Sequence, residues 1–138
     1  MLKKLLYICL SLLVLSCEKI FINGDLDGMW RLQSVEDESC VVYPDTIFYT
    51  FQRHLVMMGI YSETELPQNW YMGCFTYDGD SIIMNNFYRY PGIDGISVPE
   101  ELEHLYIYGS VVGFKVERLD DKVLVFSEDD RKYSFRKW

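Results

Sequence analysis

Alternation with a period of two constrains this chain more than any other feature. Val112, Phe114 and Val116 alternate with Lys115 and Glu117, Leu124 and Phe126 with Val125 and Ser127, and Tyr133 and Phe135 with Lys132, Ser134 and Arg136. A helix would scatter this pattern around its axis. An extended strand turns every second side chain to the same face. Earlier segments show the same period. Trp30 and Leu32 oppose Arg31 and Gln33 within 28–36, and Ile47, Tyr49 and Phe51 oppose Thr50 and Gln52 within 46–53. The stretch at 54–62 is apolar on both faces, which predicts cover on both sides. Further strands are expected at 70–77 and 80–89, joined across Asp78-Gly79, a strong hairpin signal.

One stretch breaks the pattern. Between Tyr90 and Gly109, Pro91, Gly92, Gly95 and Pro99 interrupt any strand. Within it "PEELEHLYIYG" predicts a single short helix, with Pro99 at the first helical position and the acids at 100, 101 and 103 near its N-terminus. The sum is eight short strands with tight turns and one short helix in the connection between the fifth and sixth. Sequential strands of this kind favour an all-β, antiparallel, up-and-down barrel, because closure removes exposed edges. A two-sheet sandwich of the same strands is the alternative.

The first twenty residues follow a different logic. Lys3 and Lys4 precede an apolar run from Leu5 to Leu15, well short of the roughly 20 residues that cross a bilayer. A basic start, a short apolar middle and a small residue before the break make a signal peptide. Val14-Leu15-Ser16-Cys17 resembles the bacterial lipobox. That resemblance implies cleavage before Cys17, acyl chains on that residue, a membrane partner through the anchor, and a cell-envelope, outer-membrane location. The expected organisation is a leader over 1–16, a lipidated tether over 17–27 and one domain over 28–138.

"GDLDGMWRLQSV" places Gly28-Met29-Trp30 at the entrance of the first strand. A Gly-x-Trp there resembles the opening of lipocalins and their relatives. The ending "LVFSEDDRKYSFRKW" is similar to the last hairpin of lipocalin-like domains in lipoproteins of Gram-negative gut commensals. The resemblance implies that Trp30 plugs the closed end of the barrel beside a basic residue from late in the chain, Arg136 or Arg131. It also implies a barrel that binds a small apolar or amphipathic molecule.

The remaining residues narrow the chemistry. The net charge of −8 becomes −10 once Lys3 and Lys4 leave with the leader, and an acidic chain repels phosphate backbones, so nucleic acid is not an expected partner. His54 and His104 are too few and too scattered for a catalytic constellation, and no HExxH or nucleophile elbow is present. "GDLDG" and "DGD" lack the ligand series of a calcium loop and are explained by turn chemistry. No enzyme activity, metal or cofactor is expected. Cys40 and Cys74 either form a disulfide outside the cytoplasm or are unrelated, one in a loop and one in a strand. The candidate ligand contacts are Tyr49, Phe51 and Phe114 on inward faces, with Tyr88, Arg89, Tyr90 and Ile93 on the loop excursion. Aromatic residues make up 16% of the chain, enough for the interior to be filled rather than hollow. In that case the 88–108 surface would carry the work, by binding an envelope protein or a glycan; the competing reading is that the helix of this excursion lids one end of the barrel, with these residues buried beneath it.

Overall fold

The alternation becomes a closed antiparallel sheet. The computed structural model describes residues 21–61, 70–90 and 99–138. Its strands are β1 (Gly28–Glu36), β2 (Val41–Val42), β3 (Ile47–Gln52), β4 (Leu55–Ile60), β5 (Trp70–Tyr77), β6 (Ser81–Tyr90), β7 (Val111–Leu119), β8 (Val123–Glu128) and β9 (Arg131–Lys137). Each strand from β3 to β9 pairs with its neighbour in sequence, β1 pairs with β3, and β9 returns to β1. The ring is therefore up-and-down, as expected. β2 is an addition: a two-residue arm laid on the end of β1, Val35 against Val42 and Glu36 against Val41. It is too short for alternation to reveal, and the polar stretch before Pro44 hides it.

Turn chemistry explains where the strands stop. The Asp78 carboxylate accepts from the backbone N–H of Asp80 and Ser81, and Gly79 takes a left-handed φ of 100°. Asp120 does the same for Lys122 and Val123. Each pattern satisfies backbone donors that the ladder leaves open at its ends. The strands bend at three register shifts, Leu32/Ser34, Met72/Cys74 and Val116/Arg118. Such bulges curve a flat ladder toward closure.

The inward faces build one core. Trp30, Leu32, Tyr49, Phe51, Val56, Met58, Ile82, Met84, Phe114, Leu124, Phe126, Tyr133 and Phe135 are all at most 1% exposed. The expected helix is a 3-10 segment, Pro99–Leu105. It lies at one end of the ring and sends Leu102 and Leu105, with Ile107 just after it, into the same core. The double-sided apolarity of β4 has a partial explanation. The Trp70 ring lies across Gly59 on the outer face, so close that a Cβ there would sit 3.1 Å from it. Leu55 and Ile60 at the strand's two ends stay exposed.

Candidate binding site at the barrel mouth

One end of the ring is sealed by Trp30. Its indole Nε1–H donates to the Leu26 carbonyl at 2.8 Å, tying the strand to the preceding 3-10 turn, Gly24–Leu26. The cation over its ring is Lys137, with Nζ 4.8 Å from the centroid and donating to the Asp25 carbonyl at 2.8 Å. This corrects the expectation of Arg136 or Arg131. In the β1–β9 ladder Lys137 stands directly opposite Trp30, whereas Arg136 stands opposite Arg31 and is exposed. The period of two decides which side each faces. Arg131 lies at the other end of the ring, its guanidinium 4.0 Å over Tyr108. The glycine of Gly28-Met29-Trp30 has a local cause: φ is 126°, and a Cβ would meet Lys137 Cε at 2.8 Å.

Above Trp30 the interior is filled by rings. The Phe126 centroid lies 4.4 Å from that of Phe114, 4.9 Å from Phe135, 5.4 Å from Tyr133 and 6.5 Å from Tyr49. Phe51 packs edge-on against Phe75 at 5.2 Å. Tyr49, Phe51 and Phe114, expected to line a binding space, are instead packed against one another's neighbours. Two grooves in the described residues, of about 390 and 280 Å³, both lie outside this interior. One borders the Gly24 turn and Arg118; the other covers the outward side chains of Thr50, Met57 and Met72.

The opposite end, the mouth, is closed in another way. Among the described residues no strand covers it. The segment from 99 to 109 folds over the opening and fills it with Leu102, Leu105 and Ile107, all fully buried. Its backbone hydrogen bonds among the described residues stay within the segment: Tyr106 N–H to the Glu103 carbonyl and Ile107 N–H to the Leu102 carbonyl. Two tyrosines on the barrel wall reach up to it. The Tyr49 hydroxyl donates to the Leu105 carbonyl and the Tyr133 hydroxyl donates to the Tyr106 carbonyl. Burial raises the titration of both phenols well above the usual tyrosine range. They therefore remain protonated donors at any physiological pH. Tyr71 meets His104 edge-on at 5.8 Å, and Arg131 covers Tyr108 on the rim.

Glu128 shares that rim, opposite Arg131 in the last hairpin. One of its carboxylate oxygens, Oε2, is buried without a hydrogen-bond partner. Burial raises its pKa above the ordinary 4.5; Arg131 opposes this, Asp129 adds to it, and a hydrogen bond with Tyr133 opposes it. The folded state thus favours the protonated acid. Its stabilising contribution is present below 4.5 and is lost as pH rises through the raised value. Glu128→Gln is expected to hold its melting temperature between acidic and neutral pH better than the parent. Parallel melting curves for the two chains from about pH 4 to pH 7 would contradict this.

The other expected contacts are scattered. Tyr88, Arg89 and Tyr90 end strand β6 rather than forming a loop. Tyr88 is half-buried with its hydroxyl 3.5 Å from Met72 Sδ, and Tyr90 is exposed on the outer face. Ile93 and Cys17 lie outside the described residues. Cys40 and Cys74 are both free thiols, Cys40 in the exposed β1–β2 loop and Cys74 on β5, so no disulfide joins them. That the helix lids one end of the barrel is among the readings the sequence allows; the two phenols that hold it there are not. Tyr133 shows in the sequence only as an inward strand residue, and the hydroxyl's partner is a backbone carbonyl about which sequence is silent.

The described strands form a closed antiparallel ring with one end sealed by a tryptophan and the other by a chain segment. The lipocalin-like domain family model matches residues 10–138, and this chain belongs to that family. A lipocalin-like protein from Bacteroides uniformis ATCC 8492 superimposes with a TM-score of 0.67 at 22% identity, over 83% of this chain and 100% of that one. A protein from Bacteroides eggerthii DSM 20697 gives 0.62 at 24% identity, over 82% of this chain and 99% of its own. At these identities the likeness is one of fold. No curated protein matches the sequence.

Proposed function

We propose that this chain is a lipid-anchored binding protein of the cell envelope, whose barrel takes a small apolar or amphipathic molecule at its mouth. The basic, apolar leader and Val14-Leu15-Ser16-Cys17 support the anchor, with acyl chains on Cys17. More than one chain on a single residue would hold the protein stably at a membrane. The observation that carries the ligand is the way the mouth is closed. The sheet is zipped by ladder bonds around its whole circumference, but among the described residues the mouth segment is held by aliphatic side chains, two phenol–carbonyl bonds and the ring contacts of His104 and Tyr108. Closure of that kind opens at far lower cost than the ring itself, because few backbone bonds must break.

The test is to purify the full chain from the envelope of a Gram-negative host. The intact mass should report acylation at Cys17, and an organic extract of the folded protein should hold a small apolar molecule. Unchanged membrane fractionation of Cys17→Ser would sink the anchor. An extract no richer than that of a denatured control would sink the ligand. The filled interior and the exposed aromatic side chains of Tyr61, Tyr90 and Trp138 favour a second reading, a solid barrel that docks an envelope partner on its outer face. An empty extract, together with a cross-linked partner lost on Tyr90→Ser, would replace the first reading by this one.

A further inference from the structure

The mouth segment has the composition of a bound ligand. It offers two adjacent acceptor oxygens, the carbonyls of Leu105 and Tyr106, to two buried donors on the wall, Tyr49 and Tyr133. Behind them it inserts the aliphatic side chains of Leu102, Leu105 and Ile107 into the aromatic core. Together these amount to roughly a dozen apolar carbons, each of which gains by leaving water. The segment turns back on itself through a left-handed Tyr106, with φ of 63°, and leaves through Gly109, with φ of 133°. A non-glycine residue in that region carries strain that its surroundings must hold in place. The segment spends no ladder bonds on staying there.

We propose that the 99–109 segment is a tethered internal occupant of the barrel. A free ligand of matching chemistry exchanges with it, and Tyr49 and Tyr133 set the specificity. This deepens the binding function proposed above and rests on it. The donors define the head of the ligand. Two phenols that remain protonated require acceptor oxygens, as in an ester or an amide. The rim adds a requirement. Glu128 interacts with the Tyr133 hydroxyl, and its Oε2 is buried with no hydrogen-bond donor. A hydroxyl or amide N–H would give that oxygen the donor it lacks, and a carboxylate head has none to offer. The class is therefore an acyl ester or amide with a donor group and about a dozen chain carbons, rather than a free fatty acid, whose carboxylate has no donor for Glu128 Oε2.

The experiment uses the full chain and three probes of equal chain length: 1-monolauroylglycerol, laurate and dodecane. At neutral pH the glycerol ester should bind at least tenfold more tightly than laurate or dodecane. Its binding should speed hydrogen exchange at the amides of Tyr106 and Ile107, because the segment is expelled. In Tyr49→Phe/Tyr133→Phe the advantage over dodecane should vanish while dodecane binding persists or improves; a merely structural role for the phenols would lower all three alike. Tight binding with exchange unchanged at Tyr106 and Ile107 would place the ligand elsewhere and overturn the proposal, leaving a binding protein intact. Equal binding of laurate would overturn the assigned chemistry. No binding by the parent or by a folded Leu105→Ser chain would overturn the exchange itself. The binding function would then stand or fall on the organic extract.

Discussion

Phe126→Ala is expected to cost about 3–5 kcal/mol of folding free energy, because it leaves a ring-sized cavity in a close-packed interior. The local geometry argues for the upper part of that range. Phe126 touches Phe114, Phe135, Tyr133 and Tyr49, each nearly or wholly buried. No neighbour is at the surface, so the site cannot collapse inward from solvent. Aromatic pairs add about 0.5–1.5 kcal/mol each beyond the area they bury. A domain of this size is stable by only about 5–15 kcal/mol, so much of its margin goes with one side chain. Urea titration should show a lower midpoint with an unchanged slope. Phe126→Leu retains much of the volume and should lose markedly less. A midpoint for Phe126→Ala within error of the parent would mean that the rings do not share one interior.

The second large effect belongs to Trp30. Trp30→Ala removes a fully buried side chain, and a cavity of that size costs about 3–5 kcal/mol. It also strands two partners. The Leu26 carbonyl loses its donor, and the Lys137 ammonium loses the ring beneath it. An orphaned buried acceptor adds about 1–3 kcal/mol. Trp30→Phe separates the contributions: it keeps most of the apolar volume and deletes only the N–H. We expect Trp30→Phe to fold with a reduced melting temperature and Trp30→Ala to be largely unfolded at 37 °C. Near-ultraviolet circular dichroism reads both. A Trp30→Ala chain with the parent's spectrum and melting curve would show that this end is not sealed by the indole.

Together with the mouth, these residues divide the molecule into a rigid part and a replaceable one. The sealed end and the ring stack are held by burial, ladder bonds and mutual contact. The mouth segment is held by burial and two side-chain bonds. Substitutions below the mouth should therefore act on stability, and substitutions at Tyr49 and Tyr133 on occupancy. Tyr49 belongs to both groups, since its ring packs on Phe126 and Phe135 while its hydroxyl reaches the segment. Replacing it by phenylalanine separates the two contributions.

The sequence by itself determined every strand but β2, their order around the ring, and most of the core. Alternation has a period that belongs to extended chain alone, and Asp78-Gly79 and Asp120 mark turns through local chemistry. Both signals act over a few residues, so both are legible without the fold. Tertiary structure decided the rest. Phe48 occupies an outward position, yet it is 2% exposed because Tyr61 and Trp138 fold over it from distant parts of the chain. Lys137 rather than Arg136 covers Trp30, because ring closure set the register of β9 on β1. In sequence the mouth segment stays open between a surface excursion and a lid, and only the ring that receives its three aliphatic side chains decides for the lid. Each of these outcomes depends on which distant residues meet, and closure of the ring is what brings them together.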